Sequence, residues 1–168
     1  MIVAEIAGMG RVGIFEAGAG MHYDVRSIPS GLHELEVILD GAGTFTWEGR
    51  DYRAEPGSTL WFCPEDPIVV TADAERPYRT CVLRFHMVRL PEERPPFYFE
   101  WTGLQACRDF CQSLMRRYRL GDPVPLSLAE CVYARLHWEA VEFGRRQRAP
   151  VPAVERGLAF IETHFSES

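Results

Sequence analysis

From the N-terminus to about residue 90 the chain is a series of short runs that alternate apolar and polar residues: VGIFEA, LEVILD, GTFTWEG, STLWFC, PIVVTA and TCVLRFHM. A period of two sends successive side chains to opposite faces of a sheet, and no stretch of helical period separates these runs. Turn-forming residues punctuate them at Gly18-Ala19-Gly20, Pro29-Ser30-Gly31, Asp40-Gly41, Glu48-Gly49, Pro56-Gly57 and Pro64-Glu65-Asp66-Pro67. Strands at this even spacing predict an antiparallel sandwich or barrel. Thr44 to Arg53 reads as a hairpin, with Phe45 and Trp47 before the Glu48-Gly49 turn and Tyr52 after it. The pattern then breaks at Leu90-Pro-Glu-Glu-Arg-Pro-Pro96, where three prolines fall within seven residues. Proline lacks an N–H and fixes φ, so neither a central strand nor a helix continues through it. An architectural boundary is expected there.

Beyond the prolines the period becomes helical. Leu104, Cys107, Cys111, Leu114, Met115 and Tyr118 share one face, with Thr102 as the expected N-cap and Gly121 as the stop. A second helix is predicted from about Leu126 to Phe143, closed by Gly144, with Leu128, Val132, Leu136, Ala140 and Phe143 as its stripe. Asp122-Pro-Val-Pro125 is too short a link for anything but a helical hairpin. The stripe Leu128, Val132, Leu136 and Ala140 is expected to be shared between the barrel and a second copy of the chain, giving a homodimer. After Pro150-Val-Pro152, Val154, Leu158, Ile161 and Phe165 again keep helical spacing. An apolar helix face with nothing downstream to cover it suggests a further domain beyond Ser168.

Composition narrows the classes. A net charge of −6, with all 18 basic residues arginine, argues against nucleic-acid binding by this segment alone. No run approaches the roughly 18 to 20 apolar residues of a membrane span, and the N-terminus has no basic region of a signal peptide. The five cysteines are odd in number and scattered, which suits reduced thiols in a cytoplasm. Cys107 and Cys111 stand four apart on a helix with no second pair to complete a metal site, so they read as buried thiols.

Residues 33 to 67, HELEVILDGAGTFTWEGRDYRAEPGSTLWFCPEDP, resemble the cupin core of AraC-type sensory domains: an acid opening a strand, a Gly-x-Gly turn, an aromatic hairpin, then Pro-Gly and an aromatic strand ending at proline. The spacing of acid, six residues, glycine is met by Glu34 with Gly41 and equally by Glu36 with Gly43, and Gly49 and Gly57 fall where the second motif places its glycines. The resemblance extends over the helical hairpin at 102 to 146, and VERGLAFIETHFSE is similar to the first helix of that family's double helix-turn-helix domain. It implies a mainly β fold, a cupin-like antiparallel β-barrel (double-stranded β-helix) followed by a helical hairpin. The implied organisation is 1–96 effector-binding barrel, 97–148 dimerisation hairpin, and 149–168 linker plus the start of a DNA-binding domain. It implies a cytoplasmic, non-enzymatic sensor for a small-molecule effector, reaching DNA only through the C-terminal domain. Where metal-binding cupins carry histidines, this sequence has residues drawn from Ser27, Ile28, Pro29, Ser30, Gly31 and Leu32, then Leu60, and Pro64 in place of a later asparagine. No metal or other cofactor is expected. The alternatives are a stand-alone cupin isomerase or dioxygenase, and a barrel that serves only to dimerise.

Strand parity selects the pocket candidates. If Glu34 points inward, Glu36, Ile38, Leu60 and Phe62 do too, while His33 and Leu35 point out; a slip of one residue exchanges the faces. The candidates are Tyr23, Glu34, Glu36, Arg84 and His86 for polar contacts and Trp47, Tyr52 and Phe62 for aromatic walls. A buried carboxylate needs a partner, and Arg84 is the one expected for Glu34.

Overall fold

The computed structural model describes residues 4–25, 28–119 and 124–148. Nine strands precede two helices: β1 (Glu5–Glu16), β2 (His22–Val25), β3 (Leu32–Asp40), β4 (Gly43–Trp47), β5 (Arg50–Ala54), β6 (Ser58–Phe62), β7 (Ile68–Ala72), β8 (Arg79–Arg89), β9 (Tyr98–Glu100), α1 (Leu104–Arg119) and α2 (Leu126–Arg148). They form a five-stranded sheet, β1-β8-β3-β6-β9, and a four-stranded sheet, β2-β7-β4-β5, antiparallel throughout. This is the cupin-like, mainly β architecture with a helical appendage that the sequence predicts.

Two cores flank the five-stranded sheet. Ile38, Leu60, Phe62, Phe45, Val70 and Tyr78 pack between the sheets. Leu35, Val37, Trp61, Leu83 and Phe85 pack on its other face, beneath the helices. Alternation along β3, β6 and β8 thus feeds two interiors, and β3 and β6 are buried on both faces although β3 carries His33, Glu34 and Glu36. The β3–β4 connection depends on Gly41, whose φ is +67° and whose absent side chain would lie 2.1 Å from the Pro77 carbonyl oxygen. No other residue combines that backbone with that clearance.

Three expectations are revised. The proline-rich stretch is a crossover and not the end of the sheet: β9 follows it and pairs with β6, with Phe99 in the strand reaching the core under the helices and Phe97, just before it, the core between the sheets. Helix α2 runs past Gly144 to Arg148, because Gly144 keeps a negative φ and does not turn into a left-handed cap. Thr102 does not cap α1; its hydroxyl and N–H both donate to Glu139 Oε2, each at 3.3 Å, which ties the entry of α1 to α2.

The predicted dimer seam is also corrected. Val132, Leu136 and Ala140 are buried, Leu128 is half-buried, and all four belong to the core under the helices. The outer face of the larger sheet presents Leu35, Trp61 and Phe85, and α1 alone does not cover it. The stripe of α2 is used within the chain. Cys81 on β8 joins Cys107 and Cys111 there, all fully buried, and the neighbouring thiols push Cys111 far above the ordinary thiol range. The third helical segment lies outside the described residues.

Candidate functional site

Strand β3 places Glu34 and Glu36 on the inter-sheet face, one residue apart, each opposite β8 on one side and β6 on the other. Glu34 faces Arg84 across the β3–β8 ladder, and Arg84 Nε donates to Glu34 Oε2 at 2.7 Å while its Nη2 meets the same oxygen. Arg84 is one-third exposed and Glu34 nearly buried, so the pair stands at the mouth of the interior. His86, next on that face, is exposed and lies over Gly10 at the rim.

Glu36 is deeper. Its cross-strand neighbours are Val82 and Leu60, neither of which offers a hydrogen bond. Its Oε2 is buried without a partner among the described residues. Burial, then the charge of Glu34, push its carboxyl up to about 8, with Arg11 pulling weakly the other way. Leaving such an atom unsatisfied is among the larger single penalties a fold sustains. Opposite stands a phenol pair, Tyr23 and Tyr78, with hydroxyl oxygens 2.5 Å apart. Burial leads the upward shift of both; Tyr23 reaches about 12, and Glu36 contributes to each. Phe45 closes the floor, 5.3 Å from the Tyr78 ring and 6.4 Å from Phe62. The arrangement is an apolar, aromatic interior with one satisfied ion pair at its mouth and one unsatisfied carboxyl at its centre. It offers an acceptor to a small ligand.

Trp47 and Tyr52 pack against the same inter-sheet core, at its edge. They line a separate cleft of about 710 Å³ with Arg94, Phe97, Tyr98 and Phe143 at the end of α2. Trp47 stacks on Phe97 at 5.0 Å and lies under the Arg94 guanidinium at 4.2 Å. Buried Asp66 fastens this corner, accepting from Arg94 Nη2 at 2.6 Å, from the Cys63 N–H at 2.7 Å and from Trp47 Nε1 at 3.3 Å. Sequence reasoning missed Asp66 and Arg94 because a Pro-Glu-Asp-Pro turn and a Pro-rich loop each read as solvent-exposed.

His33 was also missed as a structural group. It faces outward as parity predicts, yet is buried under α2, where Trp61 Nε1 donates to its Nδ1 at 3.1 Å and the Tyr133 hydroxyl lies 3.3 Å from the same nitrogen. An accepting Nδ1 puts the proton of the neutral ring on Nε2. Burial, then Arg94, lower its pKa to about 4. Among the described residues no group of three or more histidine, cysteine or acidic side chains is arranged to hold a metal.

Two antiparallel sheets that enclose acids and aromatics, with two helices packed on the outer face of the larger one, define a protein of cupin-like fold. Residues 12–137 match the AraC-like ligand binding domain, and the chain belongs to that family. An apo ToxT variant from Vibrio cholerae shares the fold with a TM-score of 0.51 at 8% identity, over 91% of this chain and 64% of that one. A putative glyoxylate-induced protein from Pseudomonas aeruginosa aligns at 16% identity over 55% of this chain and 34% of its own, TM-score 0.46. The Schizosaccharomyces pombe Cnp3 cupin domain aligns at 15% identity over 51% of this chain and 61% of its own, TM-score 0.40. The chain thus spans about a third of the Pseudomonas protein and less than two thirds of the other two. No curated protein sequence matches it.

Proposed function

We propose that this chain is the sensory module of a one-component transcription regulator, not an enzyme. It takes a small molecule between its sheets without a metal, through Tyr23, Glu34, Glu36, Phe62 and Arg84, and biases a DNA-binding domain that follows the hairpin. The organisation proposed is a barrel over 1–96 extended by β9, a hairpin over 97–148, and a junction to the DNA-binding domain over 149–168. The observation that carries this reading is the unsatisfied Glu36 carboxyl in the interior of a chain belonging to a ligand-binding family. A barrel that served only to dimerise would fill that position with an apolar residue.

Strand β3 supplies the route outward. Glu34 and Glu36 face the interior, while His33 and Leu35, their neighbours in sequence, pack under α2. A ligand that shifts β3 by a fraction of an ångström shifts the surface on which Tyr133 and Leu136 rest. Such an effect requires differential contact with two packings of α2, and the His33–Trp61–Tyr133 cluster is the element whose equilibrium the ligand would bias.

A homodimer is part of the reading, through the outward face of α2, where Trp138 and Val141 are exposed. The test of the sensor function is a thermal-shift and native mass-spectrometry screen of the whole chain against sugars, aromatic acids, amines and other metabolites. Stabilisation by at least one class, lost in Glu36→Leu and Tyr23→Ala, is expected. Binding that survives both variants overturns the assignment of the site.

A further inference from the structure

The distribution of charge within the interior decides which ligand chemistry it selects. Of the two guanidinium groups near the mouth, Arg84 is already engaged by Glu34, and Arg11 is exposed on β1. Glu36 is left with a buried oxygen that accepts nothing. We propose that Glu36, set among Tyr23, Tyr78, Phe45 and Phe62, is a subsite for the ammonium group of a small primary amine. This rests on the sensor reading and adds the class of ligand to it.

The groups facing Glu36 decide between ligand charges. Glu34 lies on its own strand, Arg84 on β8, Arg11 on β1, Tyr23 on β2 and Tyr78 just before β8; β6 and β4 bring only Leu60, Phe62 and Phe45. An anionic head would meet two carboxyls, opposed by an arginine already paired with Glu34 and by Arg11, which lies exposed on β1. A neutral hydroxyl would satisfy one lone pair and leave the electrostatics unchanged. An ammonium donates up to three hydrogen bonds, forms a charge-assisted bond to the carboxylate, and finds aromatic faces on Tyr78 and Phe45 for its remaining surface. In the free chain the same conflict is relieved by keeping a proton on Glu36, in line with its raised pKa of about 8. Binding therefore exchanges one cation for another: the carboxylic acid releases its proton to solvent, and the carboxylate pairs with the incoming ammonium. No bond to carbon is made or broken.

The experiment is calorimetric titration of the whole chain with benzylamine, benzyl alcohol and benzoate, three rings of one size with cationic, neutral and anionic heads. Benzylamine is expected to bind at least tenfold more tightly than the alcohol, with benzoate weaker still. Its affinity should rise up to tenfold per pH unit between pH 6 and 8, because below about 8 each binding event expels a proton. Glu36→Gln keeps the shape and should abolish both the amine preference and its pH dependence while benzyl alcohol still binds. Glu36→Met, which keeps the volume without a polar head, should do the same. Alcohol or benzoate binding as well as the amine, or an amine preference that survives in both variants, overturns the amine subsite alone. Failure of all three probes, with no small molecule retained by the purified chain, overturns the subsite and the sensor reading together.

Discussion

His33 and Glu36 sit three positions apart on β3, face opposite sides of one sheet, and titrate in opposite senses. His33 is lowered from 6.5 to about 4, so the folded chain binds fewer protons than the unfolded one in that window and stability is lost as pH falls through it. Glu36 is raised from 4.5 to about 8, so the folded chain binds more protons there and stability is lost as pH rises. Between roughly pH 4.5 and 6.5 the two slopes cancel; above 6.5 Glu36 acts alone. Urea unfolding across a pH series should show a plateau and then a decline of up to about 1.4 kcal/mol per pH unit toward pH 8. Glu36→Gln should flatten the decline, and a slope that persists in that variant refutes the assignment. Arg84 gives a second test at this scale. Arg84→Met leaves Glu34 without its cation and beside Glu36, and should destabilise by about 2 kcal/mol, between the exposed and fully buried limits. Adding Glu34→Gln should recover most of the loss; equal stability of the single and double variants would show the pair to be inert.

Strand alternation carried most of the elements. The runs LEVILD, GTFTWEG, STLWFC, PIVVTA and TCVLRFHM each fall on a strand, and the two helices begin where the period changes. The carboxylate faces of β3 were legible too, since period two leaves only one choice once Glu34 is set inward. What sequence did not disclose was which apolar faces are consumed inside the chain. A stripe such as Leu128, Val132, Leu136 and Ala140 has the same periodicity whether it meets a partner or its own sheet. Only the area of exposed sheet, fixed by strand order, decides between them. Likewise the stacking of Trp47 on Phe97, the residue just before β9, is a pairing that no local pattern encodes. The element-scale prediction follows from Leu136, which is fully buried. Leu136→Ala should cost roughly 2–5 kcal/mol, and Leu136→Glu should unfold the chain as judged by circular dichroism. A folded, monomeric Leu136→Glu would return the residue to an intermolecular seam. In the β3–β4 connection, Gly41→Ala should be far more damaging than Gly49→Ala. Both have positive φ, but only Gly41 is hemmed in by the Pro77 backbone, while Gly49 faces open space. Equal melting temperatures for the two would contradict the turn geometry.

For the whole molecule the question is how a ligand held between the sheets would be reported to anything outside. The hairpin is the only described element that touches the barrel's outer face and also leads toward the C-terminus, so assembly and signalling should both run through α2. With its inner stripe committed to the core, the surface left for a second copy is the opposite face, where Trp138 is 53% exposed and Val141 38% exposed. Arg145 lies 5.9 Å from the Trp138 ring centroid, shielding one side of it. A two-fold arrangement would set each tryptophan against the partner's copy of this face, and a large aromatic at the centre of a small interface commonly carries much of its energy. Light scattering should give a dimer at micromolar concentration. Trp138→Glu should convert it to a monomer whose far-ultraviolet circular dichroism and amine binding are unchanged, because Trp138 lies on the exposed face of α2. The contrast with Leu136→Glu, two residues away on the same helix and expected to unfold, separates the two faces of α2 in one pair of variants. A monomer before any mutation removes the dimer while leaving the barrel site intact, and a Trp138→Glu chain that unfolds means the outward face is itself part of the core.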